Sequence, residues 1–364
     1  MGSTIGPQGT TDRKARSLRG EEVPVTSRTV HRRPAVRIVD VAALAGVSPG
    51  TASKALNGTG QLRPGTVERV RQAAQQLGFT PDGVGRALSS GRSFTVGLVT
   101  TDSFGRFTAP VLQGAEDTLG AGDMAVLLCD TRDDALREKH LLKMLASRRV
   151  DGVIVTGRRT DPRPPVDLGA AAGAVPVVYA FQPSAREGDT NVVVDDAAGA
   201  ADAARHLLDL GRRRVGHVTG WPEHHSARVR AAAVVGALGG ALAGEPLFGA
   251  WSEQWGRQAV DVLLRHHPDL DAVSCGSDQI ARGVCDRLRE LGRSVPDDVA
   301  VTGVDDWDVM ALASRPPLTT VDLRLAEVGR RAAQLLLDAV DGRDVPPRTV
   351  LPAQLVLRAS TLGA

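Results

Sequence analysis

Arg37-Ile38-Val39-Asp40-Val41-Ala42-Ala43-Leu44-Ala45-Gly46-Val47-Ser48-Pro49-Gly50-Thr51-Ala52-Ser53-Lys54-Ala55-Leu56-Asn57-Gly58 is the stretch on which the reading of this chain turns. Ile38, Val41, Ala42, Leu44 and Ala45 recur with helical spacing, and Gly46 ends the run. Ser48 then offers a capping hydroxyl, and Pro49 fits a first turn where no amide donor is needed. The second helix is predicted to run to about Leu56 and stop at Asn57-Gly58. A third starts near Pro64, carries Val67, Val70, Ala73, Ala74 and Leu77 on one face, and ends at Gly78. Two short helices joined by a tight glycine turn and closed by a third form a helix-turn-helix unit.

Charge supports a polyanionic partner for this end of the chain. Residues 1–36 carry seven Lys/Arg against three Asp/Glu, and residues 37–92 carry the same ratio, whereas the whole chain has a net charge of only +2. A basic front on an acidic body suits contact with nucleic acid. Residues 1–36, rich in Gly, Ser, Thr, Pro and Arg without apolar period, read as a disordered basic tail. No apolar run is long enough to span a bilayer and no export signal is recognised, so a cytoplasmic protein without membrane contact is expected. Cys129, Cys275 and Cys285 are scattered, without metal-type spacing, and read as buried small hydrophobes. No metal site is expected. The adjacent pairs His224-His225 and His266-His267 read as polar surface, since sequence neighbours point apart.

Beyond Phe94 the texture changes. Apolar runs at 95–99, 125–128, 152–155, 176–179, 215–219, 272–275 and 299–304 alternate with helical stretches such as 201–210, 257–264 and 326–340. That alternation predicts parallel sheets covered on both faces, in two doubly wound subdomains. The chain holds six Phe, four Trp and one Tyr, and Phe104, Phe107, Tyr179, Phe181, Trp221 and Trp307 fall near carboxyl ends of predicted strands. Asp102, Asp195, Asp278 and Asp305 fall there too, with Arg158 nearby. Ligands of open α/β sheets bind at those ends. Flat rings beside carboxylates and Arg suit a polyhydroxy ligand.

At this point the residues resemble a known family. The segment 37–58 resembles the headpiece signature of the LacI/GalR repressors, and Leu77-Gly78-Phe79-Thr80-Pro81-Asp82 resembles their junction into the hinge. Collinear similarity then runs to about residue 361, through Gly97-Leu98-Val99, Arg149-Val150-Asp151-Gly152-Val153-Ile154, Pro176-Val177-Val178, Val194-Asp195-Asp196, Gly303-Val304-Asp305-Asp306 and Pro316-Pro317-Leu318-Thr319-Thr320-Val321.

The resemblance implies a helix-turn-helix headpiece (37–81), a hinge (82–92) and a periplasmic-binding-protein-like core (93–364) whose chain crosses between subdomains near 191, 320 and 350. It implies a homodimer on palindromic double-stranded operator DNA, probed by Ser48, Pro49, Gly50, Thr51, Ser53, Lys54 and Asn57, with Arg86 and Leu88 from the hinge. Lys54 is where the family reaches into the major groove; Gly50 has no side chain to read a base; Leu88 is the family's intercalating residue. A two-turn hinge helix is marginal alone, and Gly83 and Gly85 each cost it roughly 1 kcal/mol relative to Ala.

For the effector the resemblance implies Asp102, Phe104, Phe107, Arg228, Arg230, Trp251, Ser277, Asp278 and Asp305: Trp251 to stack, Arg230 to donate, Asp305 to accept. Ser277 stands where many members have Asn, and Gly105-Arg106 replaces the common Asn-Pro. Arg106 and Arg158 are open between pairing with an acidic or phosphorylated sugar and lying on the surface. No cofactor is expected, only a small sugar-like effector acting allosterically. A transporter's sugar-binding protein shares such a core but has no headpiece. An enzyme is disfavoured because GxSxG, P-loop and dinucleotide fingerprints are missing.

Overall fold

The computed structural model describes residues 36–58, 60–79, 91–103, 105–122, 124–169 and 175–363, together with Gly2. The chain divides into two compact units, Met1–Pro81 and Asp82–Ala364. The expected basic tail (apart from Gly2 and Val36), the hinge segment 82–90 with Arg86 and Leu88, and Phe104 lie outside the described residues.

The first unit holds α1 (Ile38–Ala45), α2 (Pro49–Asn57) and α3 (Pro64–Leu77). Asp40 turns back to accept the Arg37 amide at 2.8 Å, which fixes the start of α1. Gly46 adopts φ +65, a left-handed turn that ends α1 and is costly for any residue with a Cβ. Ser48 caps α2 by accepting the Thr51 amide at 3.1 Å. The core is small: Val41, Ala42, Ala52, Ala55, Val70 and Ala73 are buried together.

The second unit is built on parallel sheets. Its strands and helices are β1 (Thr95–Thr100), α4 (Thr108–Gly120), β2 (Ala125–Asp130), α5 (Ala135–Ser147), β3 (Gly152–Thr156), β4 (Val177–Ala180), β5 (Thr190–Val194), α6 (Asp196–Asp209), β6 (Val215–Thr219), α7 (His225–Leu238), β7 (Leu247–Phe248), α8 (Glu253–His266), β8 (Ala272–Cys275), α9 (Asp278–Glu290), β9 (Ala300–Thr302), α10 (Asp308–Ala311), β10 (Thr320–Asp322), α11 (Leu325–Val340), β11 (Arg348–Leu351), β12 (Gln354–Val356) and α12 (Ala359–Leu362).

One subdomain is a six-stranded sheet in the order β11-β5-β4-β3-β1-β2, the other a four-stranded sheet β7-β6-β8-β9, all paired in parallel. Parallel strands with covering helices are buried on both faces, which is why β1 and β3 are rich in Val, Ile and Leu without a polar alternation. The chain passes between subdomains at Asp195, between Asp322 and Leu325, and between Leu351 and Gln354, where β10 and β12 pair antiparallel.

Among the described residues, glycines bring a helix pair of each subdomain into backbone contact. A Cβ on Gly114 would strike the Ala326 carbonyl, and one on Gly329 the Val111 carbonyl, so α4 and α11 touch main chain to main chain. Gly256 and Gly283 do the same for α8 and α9 against Ile280 and Glu253.

The structure adds to and corrects the sequence reading. Helix α6 begins at Asp196, five residues before the expected 201, because the Asp195 side chain caps it by accepting the Ala198 amide at 2.9 Å. Strand β5, with β7 and β10–β12, was not anticipated: β5 opens on the polar Thr190-Asn191 and offers only three consecutive Val, and the others are two to four residues long. Tyr179, grouped with the ligand aromatics, is core: it is buried, and its hydroxyl accepts the Val166 amide at 2.9 Å.

Candidate functional site

On α2 the buried positions are Ala52 and Ala55. The opposite face carries Gly50, Ser53, Lys54 and Asn57, spaced three and four apart and therefore in one stripe. Lys54 and Asn57 are exposed, and the Asn57 amide donates to the Ser53 hydroxyl at 3.3 Å. Ser48, Pro49 and Gly50 are exposed at the helix start, where the helix dipole favours a phosphate, although Pro49 has no amide donor and the Thr51 and Ala52 amides are already accepted by Ser48. Ser48 and Thr51 hydroxyls already bond each other at 2.9 Å, so Thr51 serves the cap as well as the surface.

In the second unit, the carboxyl ends of strands from both sheets gather a charged cluster. Arg230 on α7 is buried. Its Nε and Nη2 donate to Asp196 Oδ1 at 3.1 and 2.8 Å, and its Nη1 donates to the Gly276 carbonyl at 2.7 Å and lies 3.6 Å from Asp305 Oδ1. Arg106, in the loop after β1, also pairs with Asp305 and donates to Gln279 Oε1 at 3.3 Å. Its guanidinium sits 4.7 Å from the Phe107 ring centroid and 4.5 Å from that of Trp307. Burial pulls Arg106 down to about 10, which leaves it cationic at neutral pH. Phe107 stacks on Phe181 with centroids 5.3 Å apart. Beside the cluster a cavity of about 290 Å³ is lined by Thr160, Phe181, Val194, Asp196, His225 and Val229, among others.

The remaining candidates divide by what their polar atoms already do. Trp251 lies against Gly220, donates its indole N–H to His224 Nδ1 at 2.6 Å, and has its ring nearly parallel to that imidazole. His224, expected to be plain polar surface, is thus corrected to the residue that fixes Trp251. Asp102 is buried and caps α4, accepting the Phe107 and Thr108 amides at 2.8 and 3.0 Å. Ser277 is buried and caps α9 through the Ile280 amide at 3.3 Å.

Asp278, expected to face a ligand, is wholly buried; it accepts from Thr320 Oγ1 and, at 2.8 Å, from the Trp307 amide. Burial, with neighbouring Asp306, pushes it up to about 7 against the effect of those hydrogen bonds. Its carboxyl ties α9 to β10 and to the loop that carries Asp305. Arg228 is exposed and donates to the Pro222 and Glu223 carbonyls at 2.7 and 2.6 Å, so it closes its own loop rather than joining the cluster. Arg158 pairs at 3.1 Å with the exposed Asp133, on the surface. Sequence reasoning left out Asp196 and Gln279; the Val-Asp-Asp end of β5 marked the first, and nothing short of the fold marked the second.

Among the described residues, no group of three His, Cys, Asp or Glu is placed to hold a metal ion, and no helix is long and apolar enough to cross a membrane. All three cysteines are free and buried.

Comparison with known proteins agrees with both units. Residues 37–82 match the model of bacterial regulatory proteins, lacI family, and residues 204–361 match a periplasmic binding protein-like domain. The HTH-type transcriptional regulator CelR of Thermobifida fusca is 33% identical over 341 residues, covering 90% of this chain and 98% of that protein. The HTH-type transcriptional repressor PurR of Mannheimia succiniciproducens is 30% identical over 331 residues, covering 89% and 98%. Among solved structures, a CelR–cellobiose complex aligns with TM-score 0.62 at 31% identity, over 89% of this chain and 99% of that one. A Lac repressor dimer bound to operator and the anti-inducer ONPF aligns with TM-score 0.72 at 25% identity, over 90% and 99%. A helix-turn-helix unit followed by a two-subdomain parallel α/β core, matched to these relatives over nearly its whole length, makes the chain a member of the lacI family of bacterial transcription regulators.

Proposed function

We propose that the chain is a repressor-type regulator that reads a palindromic operator as a homodimer and is switched by a small sugar or sugar derivative held between its core subdomains. In this reading residues 37–81 bind DNA, 82–92 form the hinge and 93–364 bind the effector and dimerise. The observation that carries it is the joining of Asp305, Arg230 and Asp196 at the carboxyl ends of strands from both sheets, with aromatic rings and a cavity of about 290 Å³ alongside. Asp305 offers an acceptor and Arg230 a donor to ligand hydroxyls, while Phe107, Phe181 and Trp251 offer faces for an apolar sugar edge. The relative crystallised with cellobiose has a sugar as ligand, which favours the same class here. On DNA, Lys54 supplies the charged contact of the α2 stripe, and Arg86 and Leu88 act from the hinge.

Two measurements test this. Selection of duplexes from a random pool by the purified full chain should enrich a two-fold symmetric sequence. A thermal-shift screen against mono- and disaccharides should then find a ligand that stabilises the chain and changes operator affinity, and operator should change the affinity for that ligand by the same factor. Enrichment of no sequence over the starting pool sinks the reading.

A further inference from the structure

We infer that Arg106 is a cross-cleft latch: it reaches from the six-stranded subdomain to occupy the acceptor Asp305 of the other, and so competes for that carboxylate with any hydroxylated ligand. The inference rests on the reading of this cleft as the effector site and adds to it a residue that sets both closure and ligand choice.

The geometry supports the role in three ways. First, Arg106 belongs to the loop between β1 and α4, whereas Asp305, Gln279 and Trp307 belong to the β9–α10 loop and α9, so among the described residues its ion pair and its hydrogen bond both cross between subdomains. Second, the pair is sheltered: the two side chains are 16% and 7% exposed, a setting in which solvent screening is weak. Third, the guanidinium is held by two aromatic rings, Phe107 on its own side and Trp307 on the far side, as a flat ligand ring would be. The fit of Trp307 is itself fixed, because its amide is bonded to Asp278.

The surrounding charges explain why Asp305 depends on Arg106. Arg230, the other cation nearby, is engaged by Asp196 and the Gly276 carbonyl and stands 3.6 Å from Asp305. Asp278 and Asp102 also act on Arg106, and both favour its charged form. A ligand that donates a hydroxyl to Asp305 Oδ2 must therefore share or displace a bound guanidinium. Among the described residues Arg106 Nε is buried without a hydrogen-bond partner, so the displaced side chain has a donor to give to the incoming molecule.

The latch is tested on the full-length chain with neither sugar nor DNA added. Spin labels are attached at Leu136→Cys on α5 and Gln254→Cys on α8, both exposed, while the native cysteines are buried. Labelled chain is diluted into unlabelled chain so that only distances within one protomer are read. The parent should give a narrow, short distance distribution. Arg106→Gln, which keeps a shorter amide donor but not the charge, and Asp305→Asn should each raise the long-distance fraction about fivefold. The double variant should go no further than either single one. Circular dichroism checks that each variant is folded, and Arg106→Lys, which keeps the charge, should restore part of the short population. Distributions for Arg106→Gln and Asp305→Asn that superimpose on the parent overturn the latch, and a double variant that opens by the sum of the singles overturns the pairing. Neither outcome depends on operator selection, so the two failures are distinguishable.

Discussion

Arg230 and Asp196 form a buried ion pair, Nη2 to Oδ1 at 2.8 Å with side chains 5% and 6% exposed, joining the start of α6 to the inner face of α7. A charge so sheltered depends on its partner. Arg230→Met leaves the buried Asp196 carboxyl without its partner, and should cost about 3–5 kcal/mol in urea unfolding. Replacing both residues, Arg230→Met with Asp196→Leu, should recover most of that loss while still abolishing the response to effector. Equal destabilisation by the single and double variants would contradict this account.

Two buried groups drive stability in opposite directions with pH. Asp278 is raised by burial from 3.8 to about 7, so between those values the folded chain holds a proton that the unfolded chain has released, and stability from this group falls as pH rises. His217 is lowered by burial from 6.5 to about 4, so the unfolded chain holds the extra proton there and stability rises with pH. Each slope is about 1.4 kcal/mol per pH unit, and from about pH 4 to 6.5 they oppose each other. Asp278→Asn removes the falling slope. Calorimetry should show its melting temperature climbing more steeply than the parent's over this window; parallel profiles would refute the assignment.

Lys54 is the exposed cation of the α2 stripe. Lys54→Ala should weaken operator binding by about 1–3 kcal/mol if it reads a base edge. If it meets only phosphate, binding should weaken uniformly across sequences and the salt slope fall by about one. Anisotropy titrations at several salt concentrations, on the selected duplex and on random DNA, separate these outcomes. No change on either duplex would remove Lys54 from the interface.

Gly83 and Gly85 lie in the segment for which only the sequence speaks. Replacing both with Ala should favour helix there by about 2 kcal/mol in total. Tighter operator binding and a blunted effector response are expected in anisotropy with and without inducer. Unchanged affinity would argue that the hinge need not become helical on DNA.

Local signals made much of this legible. Gly46, Gly58 and Gly78 each end a helix in a left-handed turn, and Ser48-Pro49 starts one, so the first unit could be written down residue by residue. Strands β1, β3, β6 and β8 were equally plain, because burial on both faces leaves mostly apolar runs, His217 and Ser274 being buried polar exceptions in β6 and β8. The cleft was legible as a neighbourhood but not as a set of partners. Asp102, Ser277 and Asp278 are ordinary acceptors in sequence, and only the fold turns them toward backbone amides instead of the cavity. Arg106 shows the reverse: a residue read as loop surface or ligand contact lies 199 positions from the carboxylate it meets.

The main-chain contacts of α4 with α11 and of α8 with α9 have a mechanical consequence. Where two helices touch without intervening side chains, no rotamer change can absorb a displacement between them. Each half of the core then behaves as a stiff lever, and strain introduced at the cleft is passed on whole. Relative motion of the two halves would then fall at Asp195 and at the two later strand crossings, where the chain passes between them.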